Sequence, residues 1–140
     1  KWRQVWELVT MGGAGHDLRQ ADLRGTDLSG AELSGGNLTG ADLRGSDLSR
    51  AQLRTATLAG ADLVGADLAD ANLEDADLSG ANLGEVPLEQ AKLDGADLSR
   101  ADLTGASLRG ATMQDTKLDD TLLPDGKKKG PFTTLSKFTR

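Results

Sequence analysis

Large apolar side chains recur along this chain at a strict interval of five. Leu stands at position 18 and at every fifth position to 123, with Met113 the one substitution among 22 such centres. The residue two places before each centre is small: Ala in 15 of the 22, with Thr26, Gly36 and Ser46 among the exceptions. Asp immediately precedes ten centres and Asn three, and Gly follows two places after eleven. The repeated unit is Ala-Asp-Leu-x-Gly, and no insertion breaks it between residues 16 and 125. A period of five suits neither common element. Five residues turn an α-helix by about 500°, which spreads successive Leu around every side. On a flat strand an odd period sends alternate Leu to opposite faces. The Leu share one core only if the chain turns at every repeat and the resulting coils stack, which is a β-solenoid. The small residue beside each Leu suits a narrow interior.

The flanks differ in pattern. In Lys1–Met11, Trp2 and Trp6 lie four apart, as do Val5 and Val9, and Gly12-Gly13 follows. This spacing predicts a short N-terminal α-helix with one apolar face, ended by the glycines. A solenoid exposes apolar centres and unpaired edges at its ends, so the segment is expected to cap the first coil. At the other end Thr116 and Thr121 replace Ala, Lys117 and Leu122 replace Asp, and Pro124-Asp125-Gly126 predicts a turn. Phe132, Leu135 and Phe138 are the large apolar residues of the tail and are expected to fold back over the last coil. Three units follow: a helical cap over 1–15, a repeat rod over 16–125 and a basic tail over 126–140. Trp2, Trp6, Phe132 and Phe138 are candidate cap or dimer contacts, because exposed aromatic residues favour interfaces.

Units such as Ala21-Asp22-Leu23-Arg24-Gly25 and Ala61-Asp62-Leu63-Val64-Gly65 closely resemble those of pentapeptide-repeat proteins. The resemblance implies an all-β fold, a right-handed quadrilateral β-helix with four repeats per coil. Residues 16–125 then make about 5.5 coils, a rod roughly 26 Å long at a strand spacing of about 4.8 Å. In a 20-residue coil Arg50 lies under Asp70, Arg54 under Glu74, Glu89 over Arg109 and Arg100 over Asp120. Arg24/Arg44 and Glu74/Asp94 are like pairs. A three-sided 15-residue coil scores similarly, so charge pairing does not select the register. The Asp residues before the centres also stack, Asp22 with Asp42 and Asp62, and Asp27 with Asp47 and Asp67. Stacked free carboxylates repel. The columns are therefore expected to accept hydrogen bonds from turn N–H groups, as Asx side chains do.

The 140 residues carry a net charge of -6, unevenly placed: residues 16–125 hold 21 acids and 9 bases, and the flanks are net basic. With no Cys there is no disulfide framework and no thiol nucleophile, and a single His makes no histidine metal cluster. No Walker or dinucleotide fingerprint occurs, because the glycines follow the five-residue period. Nothing fixes a base beside the many Ser residues. An enzyme is not expected, and no cofactor or metal is implied; the Gly-rich nonapeptide of calcium-binding solenoids is absent. No apolar stretch reaches the ~18 residues of a membrane span. Absence of Cys is compatible with a cytoplasmic location. The first residue is Lys, not Met, which leaves room for a longer polypeptide.

The leading functional expectation is a protein-interaction or scaffold module with an unidentified protein partner, no direct nucleic-acid binding, and a monomer or an end-to-end dimer. Its candidate contact face is the second repeat of each coil, with Asp22, Asp42, Asp62, Glu85 and Asp102, and with Asp125 at its end. The resemblance offers an alternative, a DNA mimic that binds a type II topoisomerase such as gyrase and protects it from quinolones. Twelve net charges over the rod give about one per 2.2 Å, of the order of the one per ~1.7 Å of B-DNA. Those relatives commonly place Phe at the centres and carry loops that break the register, and this chain does neither. A third reading is a rigid spacer within a longer polypeptide. Val86-Pro87 in place of Ala-Asp removes a backbone donor, which predicts a local backbone change rather than a site.

Overall fold

A computed structural model describes residues 15–130 and 134–140. Its backbone pairing has one register. Parallel bridges join residues twenty apart, in four columns: Asp17–Asn37–Thr57–Asp77–Asp97–Lys117, Asp22–Asp42–Asp62–Asn82–Asp102–Leu122, Asp27–Asp47–Asp67 with Pro87–Ser107, and Glu32–Gln52–Asn72–Lys92–Thr112. A coil is therefore four repeats, and the three-sided alternative is excluded. The sides are named below by the first residue of each column.

Each repeat is a one-residue bridge followed by a tight turn. The amide of Thr26 donates to the Leu23 carbonyl at 3.3 Å, and the second of the two residues between them, Gly25, has φ +61°. A positive φ at the third turn residue marks a type II turn and explains why glycine recurs there. Ten other residues, from Gln20 to Asp120, take the same conformation with φ of 57–61°. Between coils, Leu23 N–H donates to the Asp42 carbonyl at 2.8 Å and Asp42 N–H to the Ala21 carbonyl at 2.9 Å. This pair of bonds repeats down the rod.

The turns aim every centre inward. All 21 central Leu from 18 to 123 are buried, most of them completely, and Met113 is half-buried near the end. The small residues line the corners of the same core, where Val86 is also fully enclosed. Hydroxyls at this position are satisfied locally: Thr26 and Ser46 donate to the Leu23 and Leu43 carbonyls, each at 2.7 Å, and Thr121 donates to Leu98 in the coil before, also at 2.7 Å. No buried side-chain polar atom among the described residues lacks a partner. At Pro87 the column is interrupted. Asp67 and Pro87 form no bridge, and the proline donates no bond to Ala66, although Leu68 N–H still reaches the Pro87 carbonyl at 3.0 Å.

The chain closes the C-terminal end partly by itself. After Pro124-Asp125-Gly126 it reverses, and Lys128 pairs antiparallel with Leu122. Leu123 N–H donates to Lys127 at 2.9 Å and Lys129 N–H to Thr121 at 3.1 Å. A single helical turn, α1 (Ser136–Thr139), then brings Leu135 and Phe138 against the core, as the tail pattern predicted. The expected N-terminal helix, with Trp2 and Trp6, and Phe132 of the tail lie outside the described residues. Among the described residues no helix is long and apolar enough to cross a membrane.

A buried Leu contributes about 2 kcal/mol of transfer free energy. Leu63→Ala, at a completely buried position, is expected to lower unfolding stability by roughly 2–5 kcal/mol in urea titration. Leu63→Lys is expected to give no folded rod by circular dichroism, because it buries an unpaired charge.

Candidate interaction face

The stacked acidic columns are built from short local bonds. Every Asp and Asn that precedes a central Leu accepts, through Oδ1, the backbone N–H two residues on, at 2.9–3.3 Å; Val64 N–H to Asp62 at 3.2 Å and Ala69 N–H to Asp67 at 2.9 Å are examples. Glu32 does the same through Oε1 toward Ser34. The carboxylate folds along its own turn, and an amide dipole offsets its charge. Where Thr112 takes the Asp place, the coil before supplies the acceptor instead. Asp94 takes the Gln114 amide at 2.6 Å and the Thr112 hydroxyl at 2.7 Å.

Candidate residues Asp22, Asp42, Asp62 and Asp102 do share one column, and Glu85 sits at a corner of the same side with φ +60°. The upper half of that side is not a bare acidic surface. Arg24 bonds Asp22 at 2.9 Å and approaches Asp42 at 3.6 Å; Arg44 bonds Asp42 at 2.6 Å and approaches Asp62 at 3.7 Å. The two arginines, a like pair by stacking alone, interleave with three carboxylates into an ionic ladder. The missed signal was Asp-Leu-Arg, which puts acid and base two apart on one face of a strand; Asp17 and Arg19 pair the same way at 2.7 Å. Of the four opposite pairs predicted between coils, only Arg54 and Glu74 come within 4 Å among the described residues, at 3.9 Å. Below the ladder the side carries Glu85, Asp102 and Asp125 with no basic residue in its own repeats, and its central strip is smooth, with Val64 the one large exposed apolar residue among those described, followed by Gly84 and Thr104. Asp125 is held by the tail, accepting Lys127 N–H at 3.2 Å and Lys137 Nζ at 2.9 Å. Phe138 is half-buried under that tail, with Lys137 Nζ 4.5 Å from its ring centre.

Acid gathers elsewhere. Glu74, Asp75, Asp94 and Asp115 line an open groove of about 340 Å³ over Gly95. No group of carboxylates among the described residues has a metal-binding arrangement.

The local bonds hold several carboxyls below their ordinary range. Asp17 is lowered to about 2, chiefly by the Arg19 guanidinium. Asp42 is lowered chiefly by Arg44, Asp27 and Asp97 chiefly by the hydroxyls of Ser29 and Ser99, and Asp125 chiefly by Lys137. A carboxyl lowered in the folded chain binds fewer protons there than when unfolded. Its stabilisation is complete above the unfolded value of about 3.9 and disappears as pH falls through the folded value. The melting temperature is expected to be level above about pH 5 and to fall between about pH 4 and pH 2. Asp62→Ala is expected to cost about 1 kcal/mol in urea titration, and Asp62→Asn less, since an amide oxygen keeps the turn bond.

The profile for pentapeptide repeats, eight copies, matches residues 15–50, 46–84 and 81–120. No curated protein matches the sequence. Among solved structures, HetL from the cyanobacterium Nostoc sp. strain PCC 7120, a pentapeptide repeat protein involved in heterocyst differentiation regulation, is 34% identical. That alignment covers 83% of this chain and 63% of HetL, with a TM-score of 0.72, so the chain spans less than two thirds of HetL's length. A second pentapeptide repeat protein of Nostoc PCC 7120 is 34% identical over 82% of this chain and 93% of its own, with a TM-score of 0.51. QnrB1, a plasmid-mediated fluoroquinolone resistance protein, is 23% identical over 76% of this chain and 55% of its own, with a TM-score of 0.46, a likeness too low to bear on function. The all-β solenoid, the five-residue unit and these matches agree: the chain belongs to the pentapeptide-repeat family.

Proposed function

We propose that the chain is a non-enzymatic interaction module whose sides present fixed rows of side chains to a protein partner. One observation carries this reading: Leu and small residues fill the interior completely, so the chemistry-bearing side chains stand on the outer surface of the rod. Bridged sides hold these side chains about 4.8 Å apart along each column, an ordered surface that suits recognition by a protein. A convex surface does not surround a small substrate as a cleft does. The likeness to HetL, described as acting in regulation, fits a contact role rather than chemistry.

The contact is assigned to the lower half of the Asp22 side, where Val64, Gly84 and Thr104 form a smooth strip bordered by Glu85 and Asp102. The reading includes the right-handed winding of the family and an N-terminal helical cap.

Affinity capture with the purified chain as bait, under a series of wash salts, tests the proposal. The wild-type chain is expected to retain a specific protein, and Val64→Arg/Glu85→Arg to lose it while keeping the same melting temperature. Neither side chain takes part in a turn bond, so the variant separates contact from stability. Equal capture by wild type and variant removes the assigned side. Salt-sensitive capture of a type II topoisomerase replaces the proposal with DNA mimicry, and no capture replaces it with a spacer.

A further inference from the structure

The backbone ladder is open at one corner of the Asp22 side. From Gly15 to Gly105 the N–H two residues after each central Leu donates to a carbonyl of the next coil, as Gly45 does to Val64 at 3.0 Å. Gly65 is the exception: its N–H forms no hydrogen bond, and the Gly84 carbonyl that the register sets opposite it accepts none. The adjoining Ala66 carbonyl also has no donor, because Pro87 stands where the other coils supply an N–H. Among the described residues these are the only gaps between stacked coils.

The surface at this corner departs from the rest of the side as well. Gly84 stands where other coils carry Arg24, Arg44, Val64 and Thr104. Its φ lies outside the left-handed region, and an added Cβ would meet nothing nearer than Asn82 Oδ1 at 3.4 Å. The backbone therefore does not require glycine there, and the missing side chain leaves a notch in the row. Val64 lies above the notch, 41% exposed. Glu85 and Asp102 border it and form no ion pair, and the lower arginine of the ladder, Arg44, reaches down only as far as Asp62, at 3.7 Å.

Building on the interaction-module reading, we propose that this corner is the seat of the contact and that its occupant is an extended, basic segment of a partner protein. One residue of an extended strand presents its N–H and C=O along the same edge, the complement of the free Gly65 N–H and Gly84 carbonyl. Strand addition of this kind takes affinity from main-chain bonds and specificity from alternate side chains. The notch admits the incoming backbone, Val64 packs on an apolar side chain, and a neighbouring Lys or Arg meets Glu85 and Asp102. An acidic segment would be repelled by the same two carboxylates.

The test follows the isotope-labelled full chain by NMR. The probes are two capped pentapeptides, acetyl-Arg-Val-Arg-Val-Arg-amide and its counterpart with Glu in place of Arg. In the free chain the Gly65 amide is expected to exchange with solvent about tenfold faster than that of Gly45. The arginine peptide is expected to shift the Gly65 and Glu85 signals saturably and to slow Gly65 exchange, and the glutamate peptide to bind at least about tenfold more weakly. Gly84→Leu fills the notch and is expected to abolish the saturable shift with the melting temperature unchanged. Pro87→Asp restores the missing donor and is expected to raise the melting temperature, protect Gly65 and weaken peptide binding at least about tenfold, a loss that misfolding does not produce. Absence of a saturable shift at Gly65, or equal shifts with the two peptides, overturns the proposal. Undiminished binding by Gly84→Leu in a folded rod, or by Pro87→Asp with Gly65 protected, does so too. The same signals moving with protein concentration alone replace the partner by a second copy. The broader reading fails separately, through equal capture by wild type and Val64→Arg/Glu85→Arg.

Discussion

A left-handed residue at every fifth position is the constraint on which this structure rests. The chain can bring one Leu from each repeat to a common axis only by turning after each bridge, and a positive φ makes that turn tight enough. Glycine takes the conformation freely, whereas Thr55 and Asp70 take it against their own preference. Bridges on both sides of the turn, and the Leu behind it, hold such residues in place. The geometry is thus imposed collectively: each turn is set by the coils above and below as much as by its own sequence.

The same stacking that buries the Leu places acids over acids, and the rod handles this in two ways. Most carboxylates are folded onto the amide two residues ahead, so the column presents amide-bound oxygens rather than a row of bare charge. On the Asp22 side arginines interleave as well. The formal charge of the rod therefore overstates the field it offers a partner, and a comparison with DNA by charge per length alone is too generous to mimicry.

The fold was legible because its signal is periodic. An uninterrupted interval of five, with the small residue and the Asp in fixed places, leaves a stacked coil as the arrangement that buries every Leu. The bond accepted by Asp62 and the lost donor at Pro87 followed from residue type alone. Charge placement was harder to read. Arg24 was paired by column with Arg44, whereas a long flexible side chain reaches Asp22 two residues back, at contact distance, before it meets the next coil. Only Arg54 and Glu74 met as the columns implied. The register of twenty was also beyond the charges, because three- and four-sided coils place similar pairs together, and backbone bridges decide it. The proposed contact side is the least legible part, since the features that make one side distinct arise from departures at single positions such as Val64 and Gly84.

Pro87 gives the rod a seam. In a stacked array each coil is coupled only to its neighbours, and the whole behaves as one cooperative unit only while every coupling is strong. Between Asp67 and Pro87 a rung is missing, so the coupling is weakest there. Amides beside the seam would exchange with solvent sooner than those a coil away, while the bridges on the other three sides and the continuous Leu core hold the two halves together.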